Sequence, residues 1–120
     1  MNKVHIEGRL TKDPVVKQAG QGRVCEMRVA MDRPEGKGTD YVDIAAWGRL
    51  GEACGIDLAK GRLVEVIGKL RHEQWTTQDG VNRQRLLVVA TEVTPKATKP
   101  KGVAAEESVD MLEEVELVAA

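Results

Sequence analysis

The chain has 120 residues, of which 42% are hydrophobic and 31% charged, values typical of one globular domain. It contains no run of 18 apolar residues, which excludes a membrane-spanning helix. Its N-terminus has no apolar stretch of signal-peptide length, so we expect a cytoplasmic protein. Residues 1–102 hold all 18 Lys and Arg against 13 Asp and Glu, whereas residues 103–120 hold six acids and no base. A basic body with an acidic tail indicates an anionic partner for the body. An ordinary solvated surface with a solubilising tail would explain these charges equally well.

The first part of the chain alternates apolar and polar residues, which predicts β-strands. Asp13-Pro14 ends the first strand or begins a turn, a glycine turn at 19–23 precedes the second strand, and a polar loop at 32–40 precedes the third. The three predicted strands are KVHIEGRL at 3–10, RVCEMRVAM at 23–31 and DYVDIAAWGRL from residue 40 onward.

The middle of the chain, GRLGEACGIDLAKG at 48–61, has apolar residues at helical spacing. It predicts one short helix, closed by Gly61 as its cap. Two further strands follow, at 62–75 and 82–93, and Asp79-Gly80 between them is a hairpin signal.

The C-terminal part divides into two segments after a folded domain at residues 1–95. Residues 96–102 form a Pro/Lys linker, and residues 103–120 form an acidic tail that we expect to be disordered, with a helix at 104–118 as the alternative.

The predicted order is three strands, one helix and two strands, which makes the chain all-β with one short helix. A five-stranded OB-fold barrel with its helix between strands 3 and 4 has this order, although other small barrels could carry an inserted helix. Doubly wound folds are disfavoured because strands and helices do not alternate.

The chain has three aromatic residues, Tyr41, Trp47 and Trp75. In the third strand, alternation places Tyr41 and Trp47 opposite the apolar face, so the core does not account for them. Aromatic rings on a basic surface form a stacking platform for nucleobases. The plain alternatives are packing roles: Trp47 as a partly buried residue, Trp75 capping a barrel end and Tyr41 covering the core.

Basic residues on the first, fourth and fifth strands could supply the charge that contacts phosphates. These residues are Lys3, Arg62, Lys69, Arg71, Arg83 and Arg85.

The sequence gives no sign of a cofactor or of catalysis. Cys25 and Cys54 have no C-x-x-C spacing and no His at ligand distance, which favours two reduced thiols over a disulfide or metal site. Asp40 and Asp43 lack a partner His or a metal cluster, so they form no convincing acid–base pair. We therefore expect a protein that is not an enzyme and has no cofactor.

Over about residues 1–95 the chain resembles the bacterial single-stranded DNA-binding protein family. The motifs that carry the resemblance are MNKVHIEGRLTKDP at 1–14, DYVDIAAWGRLGEAC at 40–54, LAKGRLVEVIGKLR at 58–71 and WTTQDGVNRQRLLVVATEV at 75–93.

The resemblance implies an OB-fold that assembles into a homotetramer, or into a dimer with paired folds, with single-stranded DNA wrapped over it. It implies sequence-independent DNA binding and protection during replication, recombination and repair, in the nucleoid. The residues at family stacking positions are Tyr41, Trp47 and Trp75, and those at basic contact positions are Lys3, Arg49, Arg71 and Arg83.

The chain also departs from the family pattern. The loop at 31–38 lacks the aromatic residue that family members often carry near its start. Glu73 and Gln74 stand where the family tends to be basic. Polar His5 and Glu7 lie in the strand that lines the family's dimer contact. The tail has the acids but ends EEVELVAA without a terminal Phe, so we expect it to recruit replication and repair proteins weakly, if at all.

Two other functions compete with single-stranded DNA binding. An OB-fold protein-interaction subunit of a replication or primosome assembly would suit the missing stacking residue and the altered first strand. An OB-fold nuclease is a more distant alternative, because the sequence shows no metal-binding carboxylate cluster.

Overall fold

The computed structural model describes residues 1–97 and 117–118. The protein is mostly β with one short helix, as the sequence predicts. Its elements in chain order are β1 (Val4–Leu10), β2 (Val15–Ala19), β3 (Gly22–Asp32), β4 (Thr39–Trp47), α1 (Gly48–Asp57), β5 (Leu63–Thr76), β6 (Asn82–Pro95) and β7 (Leu117–Val118).

Five of the strands form a sheet that closes on itself. The strands follow the order β1-β5-β6-β4-β3, and β3 returns to β1 through the pairs Arg9–Ala30 and Leu10–Val29. The contact between β4 and β6 is parallel, whereas β1–β3, β1–β5, β3–β4 and β5–β6 are antiparallel. Strand β2 lies outside this closed path and pairs with β3.

Strand β2 is absent from the sequence prediction, which ended the first strand near Asp13-Pro14 and placed a turn at 19–23. Both of its valines are exposed, at 41% for Val15 and 39% for Val16. Because the strand has no buried face, its sequence lacks the apolar alternation that would reveal it. Its pairing with β3 is what makes it a strand.

The predicted cap of the helix is also wrong. The helix ends at Asp57, and Leu58 is the C-cap, with extended backbone and an N–H that donates to the carbonyl of Cys54. Gly61 lies three residues further on, in a turn with a positive φ of 90°, and its N–H donates to the carbonyl of Leu10. The glycine therefore joins the turn to β1 and does not close the helix.

The core lies inside the closed sheet and beneath the helix. Both cysteines are free and buried there, and burial raises the pKa of Cys25 to about 11 and that of Cys54 to about 12. The thiols therefore stay protonated near neutral pH. The other large core residues are Leu10, Met27, Val29, Ile44, Leu50, Leu58, Val64, Val66, Val88 and Val93.

A bend in β5 separates the closed sheet from a projecting hairpin. The register between β5 and β6 shifts at Ile67 and Gly68. A Cβ on Gly68 would collide with the carbonyl oxygen of Val89 and lie 2.9 Å from the Cα of Ala90. Glycine therefore lets the two strands approach closely where the sheet bends. Beyond this point, β5 and β6 continue as the hairpin, whose turn contains Gly80 with a φ of 82°.

Beyond residue 97, the structure describes a single short strand. Leu117 and Val118 form β7, which pairs antiparallel with Val93 and Glu92 of β6. The rest of the predicted linker and acidic tail lies outside the described residues, so those two assignments stay predictions. Within residues 1–97 and 117–118, no helix is long and apolar enough to cross a membrane.

Candidate nucleic-acid interface

Strand β4 presents two aromatic rings to solvent. Ile44 and Ala46 are buried, whereas the side chains that alternate with them point outward, so that Tyr41 is 55% exposed and Trp47 43% exposed. Strand alternation predicted this arrangement. Neither ring has the burial expected of a core residue.

The neighbouring strands extend this outward face. On β3, Arg28 pairs with Asp43. On the other side of β4, Leu87 of β6 pairs with Asp43. On β5, Trp75 pairs with Arg83 of β6. Because side chains alternate, the outward residues of β3, β4, β5 and β6 form one continuous surface, which we call the aromatic face. It contains Glu26, Arg28, Tyr41, Asp43, Trp47, Arg71, Glu73, Trp75, Arg83 and Arg85.

The three rings are spread across the aromatic face. Trp47 ends β4, opposite Val24. Tyr41 lies near the other end of the same strand, where the guanidinium carbon of Arg28 is 5.0 Å from the ring centroid, a cation–π distance. Trp75 lies near the end of the hairpin and is 45% exposed. Each ring therefore leaves roughly half of its surface open to a ligand.

An open cavity lies at the end of the hairpin. It has a volume of about 470 Å³, within the range of small-molecule sites in proteins. Its lining includes the paired residues Trp75 and Arg83 of the aromatic face, whereas the other lining residues alternate with them along the hairpin and so belong to its opposite face. The lining residues are Gln74, Trp75, Thr76, Asn82, Arg83 and Gln84.

The predicted basic residues do not all lie together. Arg71, Arg83 and Arg85 lie on the aromatic face, opposite Leu87, Trp75 and Glu73 respectively.

Lys3 and Arg49 lie beside the aromatic face. Lys3 precedes β1, next to Asn2, whose side chain hydrogen-bonds the backbone N–H and carbonyl of Leu70 at 2.8 Å each. Arg49 is an exposed residue of the first turn of α1, two residues after Trp47.

A network of ion pairs occupies the middle of the aromatic face. Arg85 donates from Nε to Glu73 at 3.0 Å, and its terminal nitrogens lie 3.9 Å from Asp43 and 4.0 Å from Glu26. Lys17 of β2 lies 2.7 Å from Glu26, and Arg28 lies 3.9 Å from Asp43. We call these six residues the charge network, in which three bases balance three acids.

The charge network favours the ionised form of Glu26. The hydrogen bond from Lys17 lowers the pKa of Glu26, aided by the charges of Lys17, Arg85 and Lys12 and opposed by partial burial. Near neutral pH, Glu26 therefore holds a negative charge beside Lys17 and Arg85 on the aromatic face.

Sequence reasoning missed most of the charge network. Lys17 lies on the strand that the sequence did not reveal, and Glu26 and Arg28 were not singled out because nothing in the sequence paired them with β4. The register of β3 against β4 would have placed Arg28 opposite Asp43. Among the described residues, no group of three His, Cys, Asp or Glu could hold a metal ion.

Comparison with known proteins adds an independent line of evidence. Residues 1–95 match the single-strand binding protein family. The single-stranded DNA-binding protein of Treponema pallidum is 38% identical over 100 residues, which cover 78% of this chain and 56% of that protein. That of Caldanaerobacter subterraneus subsp. tengcongensis is 34% identical over 123 residues, covering 95% and 82%. That of Thermotoga maritima is 36% identical over 107 residues, covering 82% and 76%. The chain thus spans little more than half of the Treponema protein.

Proposed function

The chain belongs to the single-strand binding protein family, and from this premise we propose that its described domain is an OB-fold that binds single-stranded DNA without catalysis. The observation that carries the proposal is the aromatic face, on which three half-exposed rings lie on one surface with Arg71 and Arg83. Stacking on such rings tolerates any sequence, because every base has a π-face.

The proposed binding mode divides the contacts between bases and phosphates. Bases stack on Tyr41, Trp47 and Trp75, and the guanidinium groups of Arg71 and Arg83 neutralise phosphates. Lys3 beside the hairpin and Arg49 beside Trp47 extend the basic surface beyond the aromatic face. Arg85 shares its charge with Glu73, Asp43 and Glu26, so a phosphate would have to compete with these carboxylates for it.

We further propose that this binding protects single strands during replication, recombination and repair, in the cytoplasm and associated with the nucleoid. The support is the family membership together with the exposed rings of the aromatic face.

A homotetramer, or a dimer, is the proposed assembly. The free edge of β1 supports it: residues 4–8 pair with β5 on one side, and no strand in the described part of the chain pairs with them on the other. Such an edge is a template for pairing with a second copy. His5 and Glu7 stand on this strand, and His5 lies 3.2 Å from Glu65.

The experiment that tests the proposed function compares one mixed-sequence oligonucleotide as a single strand and as a duplex. Fluorescence anisotropy with the labelled strand should show tight binding, and the duplex should compete poorly because its bases cannot stack on the rings. A protein-interaction subunit of a replication or primosome assembly would bind neither form. Equal affinity for both forms would also contradict the proposal.

The salt dependence of binding follows from the charges on the aromatic face. Log affinity should fall linearly with log salt, with a slope near −0.7 for each phosphate neutralised on a single strand. Because Glu26, Asp43 and Glu73 hold cations of the same face, we expect a shallower slope than that of a relative without these acids.

Titrations at several salt concentrations measure this slope, and Arg71→Ala provides the comparison. Its slope should be smaller in magnitude by about 0.7, corresponding to one lost phosphate contact. A wild-type affinity that does not vary with salt would indicate that phosphates contribute nothing to binding.

The acidic tail is expected to compete with DNA for the basic body. Its six acids and absence of bases favour contact with the body, and Leu117 and Val118 near its end pair with β6. Deleting residues 103–120 should therefore raise DNA affinity at low salt. The gain should be about 1 kcal/mol or less, since exposed charges interact weakly, and it should shrink as salt rises.

A full-length variant with the six tail acids replaced by their amides separates charge from chain length. It should reproduce the gain that the deletion gives at low salt. Unchanged affinity in both variants at low salt would contradict tail competition.

We also propose that the tail recruits replication and repair proteins weakly, if at all. Capture of such a protein by the last eight residues alone would contradict this.

A further inference from the structure

Two carboxylates of the charge network are held in place without being saturated. Both oxygens of Asp43 lie 3.9 Å from a guanidinium nitrogen, one from Arg28 and one from Arg85. Oε2 of Glu26 lies 4.0 Å from Arg85, while Oε1 accepts from Lys17 at 2.7 Å. An N–H···O hydrogen bond needs about 2.7–3.2 Å. Three carboxylate oxygens therefore keep lone pairs available on the aromatic face.

Glu73 belongs to the same network but does not line the small cavity that Glu26 and Asp43 line. Its Oε1 accepts a hydrogen bond of 3.0 Å from Nε of Arg85. Like Glu26, it therefore has one oxygen engaged by a direct hydrogen bond, but it lies outside the cavity lining. The difference provides a matched control within one surface.

The unsaturated oxygens line a small cavity. Its volume is about 70 Å³, which is too small for a base but large enough for one substituent at a base edge. Lys12, Glu26, Asp43 and Arg85 form its polar walls, and the remaining lining residues are Met27, Ile44, Ala45 and Leu87. Asp43 and Ala45 lie between Tyr41 and Trp47 on the outward side of β4, so bases stacked on these two rings would bring their edges over the cavity.

The chemistry of the cavity distinguishes thymine from the other bases. Cytosine, adenine and guanine each carry an exocyclic amino group, which donates hydrogen bonds that carboxylates accept. Thymine has no amino group; its one ring donor, N3–H, lies between two carbonyl oxygens that a carboxylate repels, so it suits a carboxylate less well than an amino group does. We infer that Glu26 and Asp43 weaken the binding of thymine relative to cytosine on the aromatic face, a preference that rests on the proposed DNA-binding function.

The experiment measures the dissociation constants of oligo-dC and oligo-dT of equal length for four proteins. These are the wild type, the double variant Glu26→Gln/Asp43→Asn, the single variant Asp43→Asn and the control Glu73→Gln. The quantity compared is the ratio of the oligo-dT constant to the oligo-dC constant. Stacking and flexibility differ between the two oligonucleotides, but these differences are the same for every protein and cancel when ratios are compared.

In the double variant the ratio should fall by roughly three- to tenfold, the effect of one net hydrogen bond, because an amide can both donate and accept. The single variant should show part of this change, and it keeps the test valid if the double variant does not fold. Glu73→Gln should strengthen binding of both oligonucleotides by a similar factor and leave the ratio unchanged.

Two results would overturn the inference. The first is the same ratio in all four proteins, and the second is a fall in the ratio for Glu73→Gln as large as that for the double variant, which would indicate a general effect of charge. In both cases the oligonucleotides still bind, so the proposed function stands. If the wild type bound neither oligonucleotide, the proposed function would fail and the inference with it.

Discussion

Replacing Trp47 or Trp75 with alanine is expected to weaken single-stranded DNA binding by about 1–3 kcal/mol in each case, which is the effect of losing one base-stacking ring. Trp47 is 43% exposed and Trp75 45% exposed, so each ring offers an open surface to a base. The two residues lie at separate ends of the aromatic face, on β4 and near the tip of the hairpin. They should therefore stack on different nucleotides, and their effects should be close to additive.

Fluorescence anisotropy at fixed salt measures these losses. Ile56→Ala is the matched control, because Ile56 is a large apolar side chain, 82% exposed, on α1. It should leave the affinity unchanged. Thermal melting verifies that each variant is folded, which matters most for Trp47 because its ring also lies close to Gly22. Wild-type affinity in both folded tryptophan variants would contradict stacking as the basis of binding.

Replacing Gly68 with alanine is expected to destabilise the fold by about 3 kcal/mol or more, at the upper end of the cost of overpacking. A Cβ there would collide with the carbonyl oxygen of Val89 and would lie 2.9 Å from both the Cα of Ala90 and Cγ1 of Val88. Two of these three atoms belong to the backbone of the paired strand, so relief requires β5 and β6 to separate where the sheet bends.

Thermal unfolding measures the effect, and Tm should fall by roughly 10 °C or more in a domain of this size. Gly22→Ala is the matched control in another strand of the sheet. The atoms nearest to its added Cβ lie at 3.8–3.9 Å, an ordinary contact distance, so its stability should change little. A Gly68→Ala variant as stable as Gly22→Ala would show that the two strands have room to relax.

The sequence predicted the parts of the fold that bury a face. β4 was predicted from alternation because Ile44 and Ala46 enter the core while Tyr41 and Trp47 do not. The β5–β6 hairpin was predicted because its strands are long and Asp79-Gly80 is a strong turn signal. Strand β2 was not predicted, because its stability comes from pairing with β3 and not from burial.

The aromatic face could be predicted only in part. Its rings were apparent because alternation leaves them outside the core, and Arg83 and Arg85 were apparent as basic residues of one strand. The charge network was not, because its ion pairs join β2, β3, β4, β5 and β6, and only the register of the strands brings them together. Arg85 was predicted as a DNA contact, and the structure adds that three carboxylates already surround it.

The most direct test of base stacking is the intrinsic tryptophan emission during a titration with single-stranded DNA. Trp47 and Trp75 are the two tryptophans of the chain, so each variant with one tryptophan replaced reports on the other ring. We expect saturable quenching in the wild type and in both variants, at DNA concentrations that match the anisotropy titration. Complete binding by anisotropy without any change in tryptophan emission would show that bases do not stack on these rings.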